Sequence, residues 1–272
     1  MMDLHDFKAA VVIMAHPDDE ILWASSILAS AKKIILCYNQ APNSREISSG
    51  RRTLFDDFPL KTVVNLDITE SSSYQTTNWR RPVETPYGLQ CGRNVAAYER
   101  NFHLLTEALQ QHIGENDVVV THNPWGEYGH EEHVQVFRAV SKVQETRPFR
   151  LFVTNYVSDR VLYFMEKNTY RLGAPSAPLA TDKALAEKLK RHYQAHNCWT
   201  WEDTYEWPSH ECFYEVAAPG APLRRNERTM ASGPVNVVWL DAHSLIWSRD
   251  LRAWKRRLIT AVLQFLGPRR SA

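Results

Sequence analysis

The sequence predicts an α/β protein of the Rossmann-like, doubly wound class, with a mostly parallel sheet covered by helices on both faces. Continuously apolar, β-branched runs in the first half of the chain are typical of strands that are buried on both faces. These runs alternate with stretches of helical spacing, which is the pattern of a parallel sheet with crossover helices. The predicted strands are residues 10–14, 34–38, 61–66, 117–121 and 149–154.

Helical patterns separate most of these strands. The predicted helices are residues 20–32, 94–113, 131–142 and 181–196. The length of 272 residues suits one large domain, or a domain with an elaboration. We expect an α/β core over residues 1–170, including a long polar insert at 69–93, and an irregular C-terminal elaboration over residues 171–272 that packs on this core. Loops as long as the insert are usually functional.

Composition and charge exclude several classes of protein. Lys and Arg number 32 against 31 Asp and Glu, and the resulting net charge of +1 argues against nucleic acid as a partner. The four cysteines are far apart and include no Cys-x-x-Cys pair, so the sequence indicates neither a thiolate zinc site nor a disulfide framework. The N-terminus has no basic, signal-like region, and we expect a cytoplasmic protein.

Residues 249–270 have the pattern of a basic amphipathic helix. Its apolar stripe consists of Leu251, Trp254, Leu258, Val262 and Phe265, with Arg and Lys residues beside it. Such a helix can dock on the protein body by its apolar stripe, or it can lie on an anionic membrane surface. We favour the docked helix and retain peripheral membrane contact as the alternative.

The first strand ends in the motif Ala-His-Pro-Asp-Asp-Glu at residues 15–20. A dinucleotide site would need glycines in this turn so that the backbone could approach a pyrophosphate, and the turn has none. His16 and Asp19 are three residues apart, so both side chains can turn inward and bind one metal ion. Asp18 can then point elsewhere.

A second motif, Gly-His-Glu-Glu-His at residues 129–133, follows the strand at 117–121. His130 and His133 are at positions i and i+3, so they share one helical face. A further imidazole near His16 and Asp19, as the third ligand, would complete a set of two histidines and one carboxylate, which leaves zinc a position open for water. Either motif alone is compatible with a helix cap or a solvated helix face, but the two together favour a metal site.

The two motifs together resemble the zinc-dependent de-N-acetylases of the LmbE/PIG-L family, over residues 9–155 and more loosely to about residue 200. The resemblance implies a Rossmann-like fold and hydrolysis of an N-acetyl group on an amino-sugar conjugate of the N-acetylglucosamine type, releasing acetate and a free amine. It also implies that His16, Asp19 and His133 hold one Zn²⁺ ion per chain, in a site that would also suit other divalent ions.

The same resemblance assigns roles to three further residues. Asp18 matches the general base that takes a proton from the attacking water. His130 matches the residue that stabilises the oxyanion or protonates the leaving amine. Tyr128 occupies the position of a mobile tyrosine that can approach the carbonyl oxygen. Amide hydrolysis needs an activated water, a polarised carbonyl and a proton for nitrogen, and these groups can provide all three.

Some positions depart from the family pattern or leave a choice open. Glu132 stands where the family commonly has Asp, and its longer side chain could serve as a partner of a metal ligand. The substrate-binding arginine could be Arg45, Arg51 or Arg52, and we favour Arg45. His192 and His196 lie in a late segment with only faint similarity to the family, and we expect surface or core histidines there.

We expect one tryptophan to bind the sugar and several others to pack in the core. Trp125 lies inside the second motif and is a candidate for stacking on a sugar face. For Trp199, Trp201 and Trp207 we favour core packing, because large aromatic side chains are common core anchors. Trp23 follows the first motif, and core packing is the expected role for it as well.

Two other functions are compatible with parts of the pattern. A non-haem Fe(II) oxygenase also uses two histidines and one carboxylate, although its ligands normally lie on a β-barrel. A non-catalytic sugar- or glycolipid-binding module would need none of the catalytic residues. The expected partner is a small-molecule or lipid-linked amino sugar, and the sequence leaves its acceptor and the oligomeric state open.

Overall fold

The five predicted apolar runs form five strands of a seven-stranded central sheet in this computed structural model, which describes residues 2–221 and 234–239. The strand order is β3-β2-β1-β6-β7-β12-β9. The strands among the described residues are β1 (Val11–Met14), β2 (Lys33–Gln40), β3 (Val63–Thr69), β4 (Glu84–Thr85), β5 (Gly88–Leu89), β6 (Val118–Thr121), β7 (Arg150–Thr154), β8 (Tyr156–Val157), β9 (Leu172–Pro175), β10 (Leu179–Ala180), β11 (His210–Glu211), β12 (Phe213–Val216) and β13 (Asn236–Val237).

Strands β3, β2, β1, β6 and β7 are parallel, and β12 runs antiparallel between β7 and β9. The predicted α/β class with a mostly parallel sheet is therefore confirmed. β1 pairs with β2 on one side and with β6 on the other, so that Val12 lies between Ile34 and Val120. The chain continues from β1 toward β3 on one side and from β6 toward β7 on the other. In such sheets ligands bind at the carboxyl ends of the two strands where the order reverses.

Six α-helices are described, together with 3₁₀ turns at Leu28–Ser30, Asp159–Val161 and Thr169–Arg171. The helices are α1 (Asp19–Trp23), α2 (Arg45–Thr53), α3 (Val95–His112), α4 (Glu131–Gln144), α5 (Leu162–Asn168) and α6 (Lys183–Ala195). Leu105 and Leu109 of α3 are buried in one core cluster with Val136 and Val140 of α4 and residues of β1. None of these described helices has the length and apolar character needed to cross a bilayer.

The first helix is much shorter than the prediction of residues 20–32. It ends at Trp23, because the following serines bind a carboxylate from a distant strand. The Ser26 N–H donates to Glu211 Oε2 at 2.8 Å, and the Ser25 hydroxyl donates to Glu211 Oε1 at 3.2 Å. These contacts direct the chain away from the helix axis.

The polar insert at 69–93 contains the short hairpin β4–β5 and is otherwise irregular. The carboxylate of Glu131, the first residue of α4, holds this insert. It accepts hydrogen bonds from the backbone N–H groups of Gln75, Thr76 and Thr77 at 2.7–3.1 Å. The insert is therefore fixed directly to the helix that carries the second histidine motif.

Residues of the predicted C-terminal elaboration contribute β9 and β12 to the central sheet itself. The described residues 2–221 and 234–238 belong to one compact unit. Phe213–Val216 form β12 of this sheet, and Asn236–Val237 form β13, which pairs with β8. The predicted amphipathic helix at 249–270 lies outside the described residues.

Candidate metal centre

The two sequence motifs meet at the carboxyl edge of the sheet, because β1 and β6 are neighbouring strands. The turn after β1 places Asp18 in the left-handed region, with φ at 102°, immediately before α1 begins. A non-glycine residue is strained in this conformation, and such strain is typically retained where it positions a functional side chain. The first turn of α1 then directs Asp19 toward α4.

Both predicted histidine ligands contact the predicted carboxylate ligand. The His16 Nδ1 atom lies 3.1 Å from Asp19 Oδ2, and the His133 Nε2 atom lies 3.2 Å from the same oxygen. Ligand atoms of a tetrahedral zinc ion, with bonds of about 2.0–2.1 Å, are separated by roughly 3.3 Å. All three residues are buried, with at most 7% of each exposed.

One buried nitrogen in this cluster lacks a partner that its chemistry requires. Although His133 Nε2 is close to Asp19, it makes no hydrogen bond with any residue that the structure describes. An unpaired polar atom in the interior is costly, and such atoms in a native fold call for an explanation. A cation bound between Asp19 and His133 would satisfy both groups at once, so the residues present fit a divalent metal ion.

Each ligand is held from behind by a second buried group. Glu132 Oε2 lies 3.0 Å from His16 Nε2, which leaves Nδ1 free to face Asp19. Glu127 Oε2 lies 2.7 Å from His133 Nδ1, and the Trp23 indole N–H donates to Asp19 Oδ1 at 2.9 Å. Groups of this kind set the orientation and the basicity of metal ligands.

The charges of these supporting groups follow from their surroundings. Burial opposes ionisation of Glu127, but hydrogen bonds and charges of His122 and His133 lower its pKa to about 2. Burial also opposes protonation of His16, yet hydrogen bonds to Asp19 and Glu132 raise its pKa to about 10. Without a cation, the surplus of carboxylates is therefore balanced by a proton on His16. A metal ion would replace this proton.

A further histidine, His122, lies close enough to Asp19 and His133 to hold a metal ion with them, but both of its ring nitrogens already have partners. Its Nε2 atom accepts the Ala15 backbone N–H at 2.8 Å, and its Nδ1 atom lies 3.0 Å from Glu127 Oε2. Because both ring nitrogens are already engaged, His122 serves to orient Glu127. It packs face to face on His133, with ring centroids 3.8 Å apart.

His130 lies beside the ligands with one nitrogen free. Its Nδ1 atom accepts the Glu132 backbone N–H at 3.2 Å, so the proton of the neutral ring is on Nε2. The ring is stacked between His133, at 4.6 Å, and Tyr74, at 4.5 Å. Burial and the neighbouring histidines hold the pKa of His130 well below its usual value. His130 is therefore a neutral hydrogen-bond donor at neutral pH.

Asp18 is buried, and its two carboxylate oxygens have different environments. Oδ2 accepts hydrogen bonds from the Thr200 backbone N–H at 3.0 Å and from the Thr200 hydroxyl at 2.6 Å. Oδ1 is buried and has no partner among the described residues. Burial and the adjacent charge of Asp19 raise the pKa of Asp18 to about 7. An ionised Asp18 would thus present one unpaired oxygen that can accept a proton.

The third acidic residue of the first motif has a supporting role. Glu20 is fully buried, and burial raises its pKa to about 8. Its Oε2 atom accepts the Asp18 backbone N–H at 3.1 Å, and its Oε1 atom accepts the Tyr193 hydroxyl at 2.6 Å. Glu20 and Tyr193 therefore hold the strained turn in place.

Aromatic side chains border the cluster. The Tyr128 ring lies 5.4 Å from that of His133 and 5.1 Å from that of the half-buried Trp201. Nearby is an open cavity of about 720 Å³. Its lining residues are Ser44, Glu46, Ile47, Gln194, Asn197, Trp199, Trp201, Glu202 and Asp203. The segment that holds Asp18 through Thr200 thus also presents two tryptophans to this cavity.

Trp125 is not placed where a sugar could reach it. Only 2% of it is exposed, and it packs with Trp79 and Val134 in an apolar cluster. Its indole N–H donates to the Tyr156 carbonyl at 2.8 Å. Burial therefore corrects the expected stacking role of Trp125. Among the tryptophans expected in the core, Trp23 bonds Asp19 and Trp201 packs against Tyr128.

The choice among the three arginines also changes. Arg45 is exposed at the start of α2, and Arg52 is exposed as well. Arg51 is buried and donates to Glu70 Oε1 at 2.6 Å, and the same oxygen lies 3.9 Å from His16 Nε2. Of the three candidates, Arg51 is the one that lies next to a proposed ligand, whereas Arg45 is exposed to solvent.

Several residues of the site were not predicted from the sequence to belong to it. Trp23 lies four residues after Asp19, so an i, i+4 contact on α1 could have suggested its bond to the carboxylate. Glu127 is six residues before His133, but it adopts a positive φ of 52° that no helical spacing predicts. Thr200 is 182 positions from Asp18, and only the fold brings the two together.

Comparison with models of protein families gave no match for this chain, and a search of curated proteins found no relative.

Proposed function

We propose that this protein is a metal-dependent amidohydrolase, with zinc as the expected ion, that removes an N-acetyl group from an amino-sugar conjugate. The observation that carries the proposal is that His16 Nδ1 and His133 Nε2 both approach Asp19 Oδ2, while the neighbouring residue Asp18 has a buried, unpaired carboxylate oxygen. A three-ligand site next to a buried general base is the arrangement of hydrolytic zinc centres. The resemblance of both motifs to the LmbE/PIG-L family supports the same reaction.

The protein groups have complementary roles in this proposal. A bound divalent cation would polarise the amide carbonyl and make the attacking water more acidic. Asp18 Oδ1 takes a proton from that water while the water oxygen adds to the carbonyl carbon of the substrate. His130 donates its Nε2–H to the developing oxyanion, since its Nδ1 atom is already occupied by the Glu132 N–H.

Collapse of the tetrahedral intermediate breaks the C–N bond. The amine nitrogen then receives the proton that Asp18 had taken up, and acetate and the free amine leave. Tyr128 borders the same space, and its hydroxyl is a second donor for the carbonyl oxygen. Because His130 is neutral, we assign the acid step to Asp18 and the oxyanion role to His130.

The sugar would bind on the side of the site formed by residues 199–203. Trp201 is half-buried next to Tyr128, and indole faces suit the C–H edges of sugars. Two carboxylates of the adjoining cavity, Glu202 and Asp203, can accept hydrogen bonds from hydroxyl groups. This side of the site therefore offers stacking and hydroxyl recognition together.

Acetate release from a panel of N-acetyl amino sugars tests the proposal. The panel contains free sugars, glycosides and lipid-linked forms, assayed with zinc after metal removal, and ion content is measured in parallel. We expect zinc-dependent release from at least one class. Substrate oxidation with Fe²⁺ and a 2-oxo acid, in place of acetate release, would favour the oxygenase alternative. Binding of sugars without turnover of any of them would favour a binding module.

A further inference from the structure

A second group of metal-ligating side chains lies outside the candidate metal centre, where α2 and α6 end close to each other. It consists of His192 and His196 on α6 and Asp57 just beyond α2. The histidines are one helical turn apart at i and i+4, and their ring centroids are 4.7 Å apart. They are largely covered, with side-chain exposures of 12% and 19%, whereas Asp57 is 71% exposed.

Four potential ligand atoms meet at this place. Asp57 Oδ1 lies 3.3 Å from His196 Nε2 and 3.6 Å from His192 Nε2. The carbonyl oxygen of Leu54 accepts a hydrogen bond from the Nε2–H group of His192 at 3.0 Å, and a bound ion would take the place of that proton. These separations scatter around the roughly 3.3 Å between neighbouring ligands of a tetrahedral zinc ion.

The orientation of His196 favours metal binding through Nε2. Its Nδ1 atom lies 2.9 Å from the Thr53 hydroxyl oxygen, and that hydroxyl donates its own proton to the Gly50 carbonyl at 3.2 Å. The Thr53 oxygen must therefore accept the Nδ1–H of His196. The lone pair of the neutral ring is then on Nε2, which faces Asp57.

The backbone adds a second, independent contribution. Leu54 caps the C-terminus of α2, where carbonyl groups have no partner within the helix and the helix dipole is negative. A cation is favoured at such an end. Phe58 packs edge-on against His192 at 5.4 Å and limits the rotation of that ring.

We propose that His192, His196, Asp57 and the Leu54 carbonyl form a second binding site for a divalent ion of the zinc class. Two imidazoles with oxygen ligands suit zinc better than calcium or magnesium. A bound ion would link the C-terminal ends of α2 and α6. It would thereby support the segment after α6 that brings Thr200 to Asp18. The site is separate from the proposed deacetylation and does not depend on it.

Zinc stoichiometry of the full chain tests this site. Protein freed of metal with a chelator is titrated with Zn²⁺ in a calorimeter, and bound ions are counted after removal of free metal. We expect His196→Ala and Asp57→Ala each to bind one ion per chain fewer than the unaltered protein. The exposed His5 provides a matched control, because His5→Ala should leave the count unchanged.

The outcome can be decided even if one variant folds poorly. Asp57 is mostly exposed, so Asp57→Ala should fold, and its Zn²⁺-induced rise in melting temperature should be smaller than that of the unaltered protein, because a ligand that binds only the folded state stabilises it. An unchanged ion count together with an unchanged melting shift in Asp57→Ala would overturn the proposal. Loss of one ion supports it whatever the total number bound.

Discussion

Glu127 accepts hydrogen bonds from two buried histidines with the same oxygen, and the one to His133 is the shorter at 2.7 Å. This contact leaves His133 Nε2 as the ring nitrogen that faces Asp19. The carboxylate is fully buried and also accepts the Asn123 backbone N–H at 3.0 Å. Glu127 therefore determines both the direction and the basicity of a proposed metal ligand.

The first prediction concerns this carboxylate. Glu127→Gln should weaken zinc binding by about 10–100-fold, because removing the partner behind a metal-ligating histidine typically has that effect. Competition with a chromophoric chelator measures the affinity. The matched control is the exposed Glu115→Gln, which should bind zinc as the unaltered protein does. Equal affinities for both variants would show that Glu127 does not support a ligand.

The second prediction concerns the contact between Thr200 and Asp18. Thr200→Val removes the hydroxyl that lies 2.6 Å from Asp18 Oδ2 and should lower kcat by about tenfold, since a hydrogen bond to a charged group is lost. Thr200→Ser keeps the hydroxyl and should restore most of the rate. Zinc content should be the same in all three proteins. A valine variant with full kcat would contradict a positioning role for Thr200.

Replacing Trp125 and replacing Trp201 should have different effects, the first on the free energy of unfolding and the second on KM. Trp125→Ala removes a side chain that is only 2% exposed and should lower the free energy of unfolding by about 3–5 kcal/mol. Trp201→Ala should leave the free energy of unfolding much less changed and should raise KM for the sugar. Denaturant unfolding and steady-state kinetics measure the two effects. The reverse assignment of effects would restore Trp125 as the sugar-binding residue.

The fourth prediction is a dependence of stability on pH. Burial raises the pKa of Glu211 above its usual value. The folded state therefore binds the proton of the Glu211 carboxyl more tightly than the unfolded state does. The contribution of this proton to the free energy of unfolding is complete below about pH 4.3 and is lost as pH rises through the pKa of the folded state. Glu211→Gln cannot ionise, so it should gain stability relative to the unaltered protein as pH rises from 4 to 8.

The geometry at Glu211 makes this variant a suitable test. A glutamine oxygen can still accept the Ser26 N–H, and the hydroxyls of Ser25 and Tyr156 can accept from its amide. Unfolding at several pH values in denaturant measures the difference between the two proteins. A difference that stays constant from pH 4 to 8 would show that Glu211 has the same pKa in both states.

The sheet and the three proposed metal ligands were predictable because their signals are local. Strands such as β1 and β6 are short apolar runs, and parallel strands bring the residues that follow them to one edge. The spacing from His16 to Asp19 and the position of His133 then suffice to place three ligands together.

The groups that support these ligands were not predictable in the same way. Glu211 binds Ser26 just beyond the end of α1, although the two residues are 185 positions apart in the sequence. No pattern of residues within α1 predicts this contact. Trp125 and Trp201 are the same residue type near polar motifs, and only the packing of the whole domain decides which of them is buried. Such outcomes depend on tertiary contacts rather than on local spacing.

The most direct test of the account is acetate release by Asp18→Asn when it carries as much zinc as the unaltered protein. Asparagine keeps the size of the side chain and can still bond Thr200, but it cannot take up a proton. We predict unchanged ion content and a rate lower by about 10²–10⁴-fold, as for the loss of a general base. A zinc-loaded Asp18→Asn protein that releases acetate at the full rate would contradict the proposed mechanism.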